Sequence, residues 1–257
     1  MGLRSRARRG ALRLQRPGDR RVRVPGDVVQ ALDALPGSVL VPSLNPSLLL
    51  RIDAATGTVL DKVRLPANPL VESAIGAAGG RAYVLVEPSK PRIVVVEGDE
   101  IVDEVAAPAG AAAVRAGYGS LWVPTADHSV ERYDLASGSW ATIPVGPNPR
   151  FLDVGFGAVW VMNQCDGSVS RVNARTGDVE QIAVTGERIG GGDLTVGAGA
   201  VWLRTDSSVV RIDPSTRAAT HVIVPPPGSA SAAATDDFLL MTNHDHEAVH
   251  LVSLPLQ

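Results

Sequence analysis

Gly157-Ala158-Val159-Trp160-Val161 is one of three copies of a phrase that recurs along this chain and indicates its architecture. The other two copies lie at residues 119–123 and 199–203, and the three tryptophans are 38 and 42 residues apart. Weaker copies carry another apolar residue at the tryptophan position, namely Leu40, Tyr83 and Leu240. A period of roughly 40 residues, composed of short β-type runs between turn residues, is typical of one blade of a β-propeller. Six copies therefore predict six blades.

A second phrase follows the first and is clearest in the unit of Trp160. It reads Val169-Ser170-Arg171-Val172-Asn173 and leads into the turn Arg175-Thr176-Gly177. Glycine at this point allows the positive φ of a tight hairpin turn. The unit holds four runs that are rich in Val, Ile and aromatic residues and show no helical period: 151–155, 158–162, 168–173 and 179–184. We expect an all-β, six-bladed β-propeller of four-stranded antiparallel blades.

The two ends of the chain indicate how the ring closes. The last unit ends at Gln257, soon after its third strand, whereas residues 21–26 resemble the fourth-strand endings at 143–146 and 182–186. An open ring would leave two sheet edges available for wrong pairing. We therefore expect an N-terminal strand at 21–26 to complete blade six, so that residues 21–257 form a single domain.

Residues 1–20 differ in composition from everything that follows, and we interpret them as an Arg-rich, disordered tail. Residues 1–27 carry a formal charge of +7, and the rest of the chain carries −10. Clustered arginines neutralise phosphates in nucleic-acid-binding arms. Here no aromatic residues are interleaved with the arginines and the body is acidic, which disfavours nucleic acid as the partner.

The same N-terminal region bears on the compartment. No apolar run of signal-peptide or transmembrane length follows the arginines, so the chain as written predicts a cytoplasmic protein. A different true N-terminus would leave an extracytoplasmic location open. Cys165 is the only cysteine, which excludes an intrachain disulfide, and a chain of 257 residues can bury a sufficient core without one. We expect a soluble monomer.

The two phrases, best seen in residues 157–177, resemble a superfamily of bacterial propellers. It includes the YVTN-type repeats, the NHL repeats and the streptogramin lyases such as virginiamycin B lyase. The resemblance covers the chain from about residue 21 onward. It implies the propeller fold, and because the group includes binding modules, sensor domains and enzymes, it singles out no function. Streptogramin lyases have seven blades that read Trp-Phe-Thr-Glu after the glycine. The corresponding Trp160-Val161-Met162-Asn163 lacks the glutamate, and no lyase catalytic residue maps onto this chain.

The candidate binding face is the one formed by the loops between the second and third strands of each blade. Loops on a rigid scaffold are where function concentrates. The polar residues that we predict on this face are Asp127, His128, Asn163, Asp166, Asp206, Asn243, His244, Asp245, His246 and Glu247. We predict a non-catalytic binding or sensing module that uses this face, around the central channel, to bind a protein or a small ligand.

The densest part of that set, residues 243–247, supports an alternative. Imidazole and carboxylate groups together could bind a divalent ion, and His244 and His246 lie on one side of an extended segment. His128 could face the same channel. The two-residue spacing matches no reliable zinc signature, so a solvated loop is the competing interpretation. The alternative function is a metal-dependent lyase or hydrolase in which the histidines bind the ion and Glu247 acts as base.

Overall fold

The computed structural model describes residues 22–223, 231–243 and 248–254. Every regular element within these ranges is a β-strand. The strands form six antiparallel sheets, each built from segments that follow one another along the chain. The predicted all-β, six-bladed β-propeller is confirmed.

The strands divide among the sheets in chain order. The first sheet contains β1 (Asp27–Val28), β2 (Asp33–Leu35), β3 (Ser38–Leu44), β4 (Leu48–Asp53) and β5 (Val59–Arg64). The second contains β6 (Ile75–Ala78), β7 (Arg81–Val86), β8 (Arg92–Glu97) and β9 (Glu100–Ala106). The third contains β10 (Arg115–Gly117), β11 (Ser120–Thr125), β12 (Ser129–Asp134) and β13 (Ser139–Pro144). The fourth contains β14 (Pro149–Gly155), β15 (Ala158–Asn163), β16 (Ser168–Asn173) and β17 (Val179–Ala183). The fifth contains β18 (Asp193–Gly197), β19 (Ala200–Arg204), β20 (Val209–Ile212) and β21 (Ala219–Ile223). The sixth contains β22 (Ala232–Ala234), β23 (Phe238–Asn243) and β24 (Ala248–Ser253).

The first strand of each sheet lies at the centre of the ring. Strands β2, β6, β10, β14, β18 and β22 contact one another in that order from sheet to sheet. In the first sheet, β1 and β2 pair with the two ends of β3. Together they occupy the position that a single inner strand occupies in each of the other blades. The inner strands therefore form the wall of a central channel.

The closing segment packs as expected but is not a regular strand. Residues 22–26 form no strand, and the described part of the sixth sheet holds three strands. Val24 packs on the cluster of Val41, Leu50 and Ile52 of blade one. The fourth strand of an earlier blade packs on the next blade in the same way, as Ile143 of β13 does with Val159 of blade four. The segment therefore has the packing of the strand that completes blade six, without strand hydrogen bonds among the described residues. Residues 1–21, the predicted disordered tail included, lie outside the described residues.

The tryptophan of the repeated phrase forms the contact between neighbouring blades. Trp160 has no exposed surface and packs with Val201 and Leu203 of the next blade. Its indole Nε1–H donates to the carbonyl oxygen of Gly155 at 3.1 Å. Trp122 and Trp202 make the same bond to Gly117 and Gly197, at 3.0 Å each. A large apolar ring with a satisfied N–H at the same position of several blades explains why the repeat folds as it does.

The arginine of the second phrase completes this packing. The guanidinium of Arg171 lies 5.7 Å from the ring centre of Trp160, and that of Arg132 lies 5.2 Å from Trp122. In each case the arginine and the tryptophan are direct cross-strand partners. Arg132 and Arg171 therefore stack on the tryptophans of their own blades, in the geometry of a cation–π contact.

Candidate functional site

Charged side chains interrupt the apolar repeat where the inner strands meet. Asp33, Arg115 and Asp153 each lie opposite the tryptophan position of their blade, paired with Leu40, Trp122 and Trp160. The corresponding position of the second blade is Gly76, paired with Tyr83. Because the inner strands of all the blades line one channel, these charged side chains from different blades lie around the same channel.

Three aspartates connect neighbouring blades. Oδ2 of Asp33 accepts a hydrogen bond from the backbone N–H of Ala77 at 2.8 Å. Oδ2 of Asp153 accepts from Val196 at 2.8 Å, and that of Asp193 accepts from Ala232 at 3.2 Å. In all three residues Oδ1 accepts from the N–H of the residue that follows, at 2.7 to 2.8 Å. The carboxylates thus join blades one to two, four to five and five to six.

Arg115 supplies the positive charge among these aspartates. Its Nη1 donates to the carbonyl oxygens of Ile75 at 2.8 Å and Val114 at 3.1 Å, so it connects blade three back to blade two. Burial raises the pKa of Asp33, Asp153 and Asp193, while the guanidinium of Arg115 opposes the rise. The effect is largest for Asp193, whose pKa burial raises to about 6.

A cavity of about 750 Å³ lies in the channel beside these groups. Its wall has charged groups (Glu72, Arg115, Arg150 and Asp193), polar groups (Gln30, Ser73 and Gln164) and apolar groups (Val28, Leu32, Phe151 and Leu240). Phe151 lies near the start of β14, where Pro149 pairs with Asn163 at the end of β15. The cavity therefore lies toward the face formed by the loops between the second and third strands.

One ion pair crosses the cavity wall. Nη2 of Arg150 lies 3.0 Å from Oε2 of Glu72, which joins blade four to blade two past the intervening blade. The guanidinium of Arg150 also lies 5.8 Å from the ring centre of Phe151. Because both partners are about 40% exposed, this pair contributes little to stability, and its charges face the cavity.

The first five predicted site residues fall into three groups. Asp206 lies beside the cavity wall, where Oδ2 accepts from the N–H of Gly190 at 2.8 Å. Asp127 and His128 are exposed in the turn between β11 and β12, and His128 has a φ of 59° there. Asn163 and Asp166 shape the next turn and do not line the cavity: the first donates to the hydroxyl of Ser168 at 2.8 Å, and the second accepts from it at 2.8 Å.

The histidine-containing cluster is not tested by these contacts. Asn243 ends β23, where its backbone pairs with Ala248, and His244, Asp245, His246 and Glu247 lie outside the described residues. Within the described ranges, no group of three or more His, Cys, Asp or Glu side chains is arranged to hold a metal ion. The divalent-ion hypothesis for His244 and His246 therefore stays a prediction. The same ranges contain no helix that is long and apolar enough to cross a membrane.

Sequence reasoning missed the charges of the inner strands. Asp33, Arg115 and Asp153 each stand seven residues before the tryptophan position of their unit. Alignment of the six units would have shown charged side chains there, within a strand enclosed by the ring. Arg150 and Glu72 carried no such signal, because only the folded ring brings residues 78 positions apart into contact.

The pH dependence of stability tests the raised pKa of Asp193. Because the folded value of about 6 lies above the ordinary 3.8, the folded protein keeps this proton between about pH 4 and 6, where the unfolded chain has lost it. The stabilising contribution is fully present below about pH 4 and is lost as the pH rises through 6. Asp193→Asn removes this titration, so the stability of the variant relative to wild type should increase by about 1–3 kcal/mol between pH 4 and pH 8.

Urea unfolding of both proteins at pH 4, 6 and 8 checks this expectation. The comparison of the two proteins cancels the titration of the carboxylates that do not interact with Asp193. A difference in stability that stays constant over this range would refute the raised pKa of Asp193.

The fold has solved counterparts, whereas no family model matches the chain and no curated protein matches its sequence. The chain is similar to BamB from Moraxella catarrhalis, with a TM-score of 0.60 and 16% identity over 90% of this chain and 75% of that one. It is similar to the computationally designed Ika8 protein, with a TM-score of 0.64 and 12% identity over 91% and 73%. U3-55K gives a TM-score of 0.71 and 16% identity over 91% and 80%. At these identities the likeness shows the propeller fold alone.

Proposed function

We propose that this chain is a non-catalytic binding module for a small ligand and that the ligand occupies the central cavity. The observation that carries the proposal is the cavity itself, an open pocket of about 750 Å³ lined by the inner strands and by the segments that lead into them. Ligand sites in proteins typically have this size and combine apolar walls with a few polar groups that fix orientation. A propeller fold is compatible with a binding or scaffold module.

Apolar side chains at the cavity support this proposal. Leu32 is 57% exposed and Val28 is 50% exposed, although both belong to the inner part of the first blade. Phe151 and Leu240 add apolar surface from blades four and six. A ligand with an apolar part would remove this surface from water, at roughly 25 cal/mol for each Å² buried.

The aspartate connections tie the inner strands of the cavity wall to one another. Because Asp153 and Asp193 fix β14, β18 and β22 to one another, the charged groups between them are held in place before a ligand arrives. A preorganised site loses less conformational entropy on binding than a mobile one.

A variant that fills the cavity tests the proposal. Ala233 is an exposed residue of β22 that lines the cavity, and Ala233→Trp places an indole there. Ala141→Trp is the matched control, since Ala141 is exposed on β13, the outermost strand of the third blade. A fragment library is screened by saturation-transfer NMR against the three proteins. We expect fragments that bind wild type and the control and lose their signals with Ala233→Trp. A screen without binders, or binders that are indifferent to Ala233→Trp, would contradict the proposal.

A further inference from the structure

Two opposite charges face the cavity without being paired to each other. Arg115 of β10 and Asp193 of β18 both line it. Backbone groups hold each of them: Nη1 of Arg115 donates to two carbonyl oxygens, and Asp193 accepts from two backbone N–H groups. Among the described residues no ion pair joins them, whereas Glu72 and Arg150 neutralise each other directly at 3.0 Å. The charges of Arg115 and Asp193 are thus presented to the same cavity from different blades.

We propose that the cavity binds a small zwitterion, a free α-amino acid or a short peptide, whose carboxylate contacts Arg115 and whose ammonium group contacts Asp193. This inference rests on the proposed function and specifies its ligand class. A guanidinium presents several N–H donors in the planar arrangement that a carboxylate matches, and an ionised carboxylate accepts from an ammonium group in a charge-assisted hydrogen bond. A ligand with a single charge satisfies only one of the two protein groups. A zwitterion satisfies both.

The apolar part of the wall specifies the rest of the ligand. Phe151, Leu32 and Leu240 line the same cavity as the two charges. An amino acid with an aromatic or aliphatic side chain places its charged end between Arg115 and Asp193 and its apolar end against these residues. The volume of about 750 Å³ accommodates an aromatic amino acid or a dipeptide.

Three probes with the same phenyl group separate the contributions of the two charges. Phenylalanine carries both charges, phenethylamine carries only the ammonium group, and 3-phenylpropionate carries only the carboxylate. Their affinities are measured by isothermal titration calorimetry at pH 8, where Asp193 is ionised. We expect phenylalanine to bind at least about tenfold more tightly than either of the others, because each of the others lacks one of the two charge-assisted hydrogen bonds. The dipeptide Phe-Phe, titrated alongside, tells a free amino acid from a peptide as the preferred ligand.

Variants of the two protein groups assign the contacts. Arg115→Gln should weaken phenylalanine and 3-phenylpropionate about tenfold and leave phenethylamine unchanged. Asp193→Asn should weaken phenylalanine and phenethylamine and leave 3-phenylpropionate unchanged. The control is Arg217→Gln, because Arg217 pairs with Glu180 of β17, an outermost strand, and should affect no probe. If Arg115→Gln fails to fold, the affinities of the three probes for wild type and for Asp193→Asn still test the proposal.

The outcomes distinguish the inference from the function on which it rests. The zwitterion proposal is wrong if phenethylamine or 3-phenylpropionate binds as tightly as phenylalanine or more tightly. It is also wrong if phenylalanine does not bind to a protein whose cavity still binds fragments that Ala233→Trp excludes. In both cases the proposed binding function stands. If neither fragments nor probes bind, both fail.

Discussion

Trp160→Ala is expected to lower the free energy of unfolding by about 3–5 kcal/mol, as is typical when a large aromatic side chain is removed from a core. Trp160 has no exposed surface and packs between blades four and five with Val201 and Leu203. The substitution leaves a cavity in this contact and removes the donor to the carbonyl oxygen of Gly155. Urea unfolding followed by far-ultraviolet circular dichroism measures the loss.

Trp140→Ala is the control for this prediction. Trp140 is half-buried on β13, an outermost strand, where its ring centre lies 5.0 Å from that of Tyr133. We expect a loss of about 1–2 kcal/mol, because the side chain packs on one side only. Equal losses for the two variants would mean that the repeated tryptophan does not carry the contact between blades.

Gly76→Ala is expected to destabilise the protein by about 2–3 kcal/mol, although replacement of glycine by alanine normally stabilises a strand. A Cβ atom at Gly76 would lie 2.7 Å from the backbone nitrogen of Ala116 and 2.9 Å from Cα of Arg115. These are backbone atoms, so no side-chain rotation relieves the contact. Blades two and three would have to separate, as thermal and urea unfolding should show.

Gly117→Ala serves as the comparison. A Cβ atom at Gly117 would lie 3.0 Å from Cγ2 of Val154, so the contact is longer than at Gly76 and is made with a side chain rather than with the backbone. The loss should therefore be smaller than that of Gly76→Ala, by about 1 kcal/mol or more. A stabilising effect of Gly76→Ala would contradict the close approach of β6 and β10.

The propeller could be predicted from the sequence because its signal is local and repeated. The phrase around Trp160 recurs at the spacing of one blade, and the strands of the fourth sheet begin and end within two residues of the expected positions. The closing segment was predictable in its packing and not in its hydrogen bonding. The alternating Val pattern at residues 22–24 predicts one buried side, and Val24 packs on Leu50 of blade one, as a fourth strand of blade six would. The pattern does not fix the backbone pairing, and residues 22–26 form no strand.

The charged residues of the cavity wall could not be predicted, for a different physical reason. The architecture predicts a binding face, and Asp206 on that face accepts from Gly190 of the cavity wall, while its role in binding stays a prediction. Polarity predicts the loop residues, and polarity marks solvent exposure as readily as binding. Arg115 and Asp193 belong to strands, where a charge looks like an exception to the apolar pattern until the ring shows that those strands line a channel.

A crystal structure of the protein soaked with phenylalanine shows whether the central cavity holds the ligand. We expect electron density in the central cavity, with the carboxylate at Arg115, the ammonium group at Asp193 and the phenyl ring toward Phe151. Ligand density on the outer strands or between the surface loops, with the cavity occupied by water alone, would contradict it.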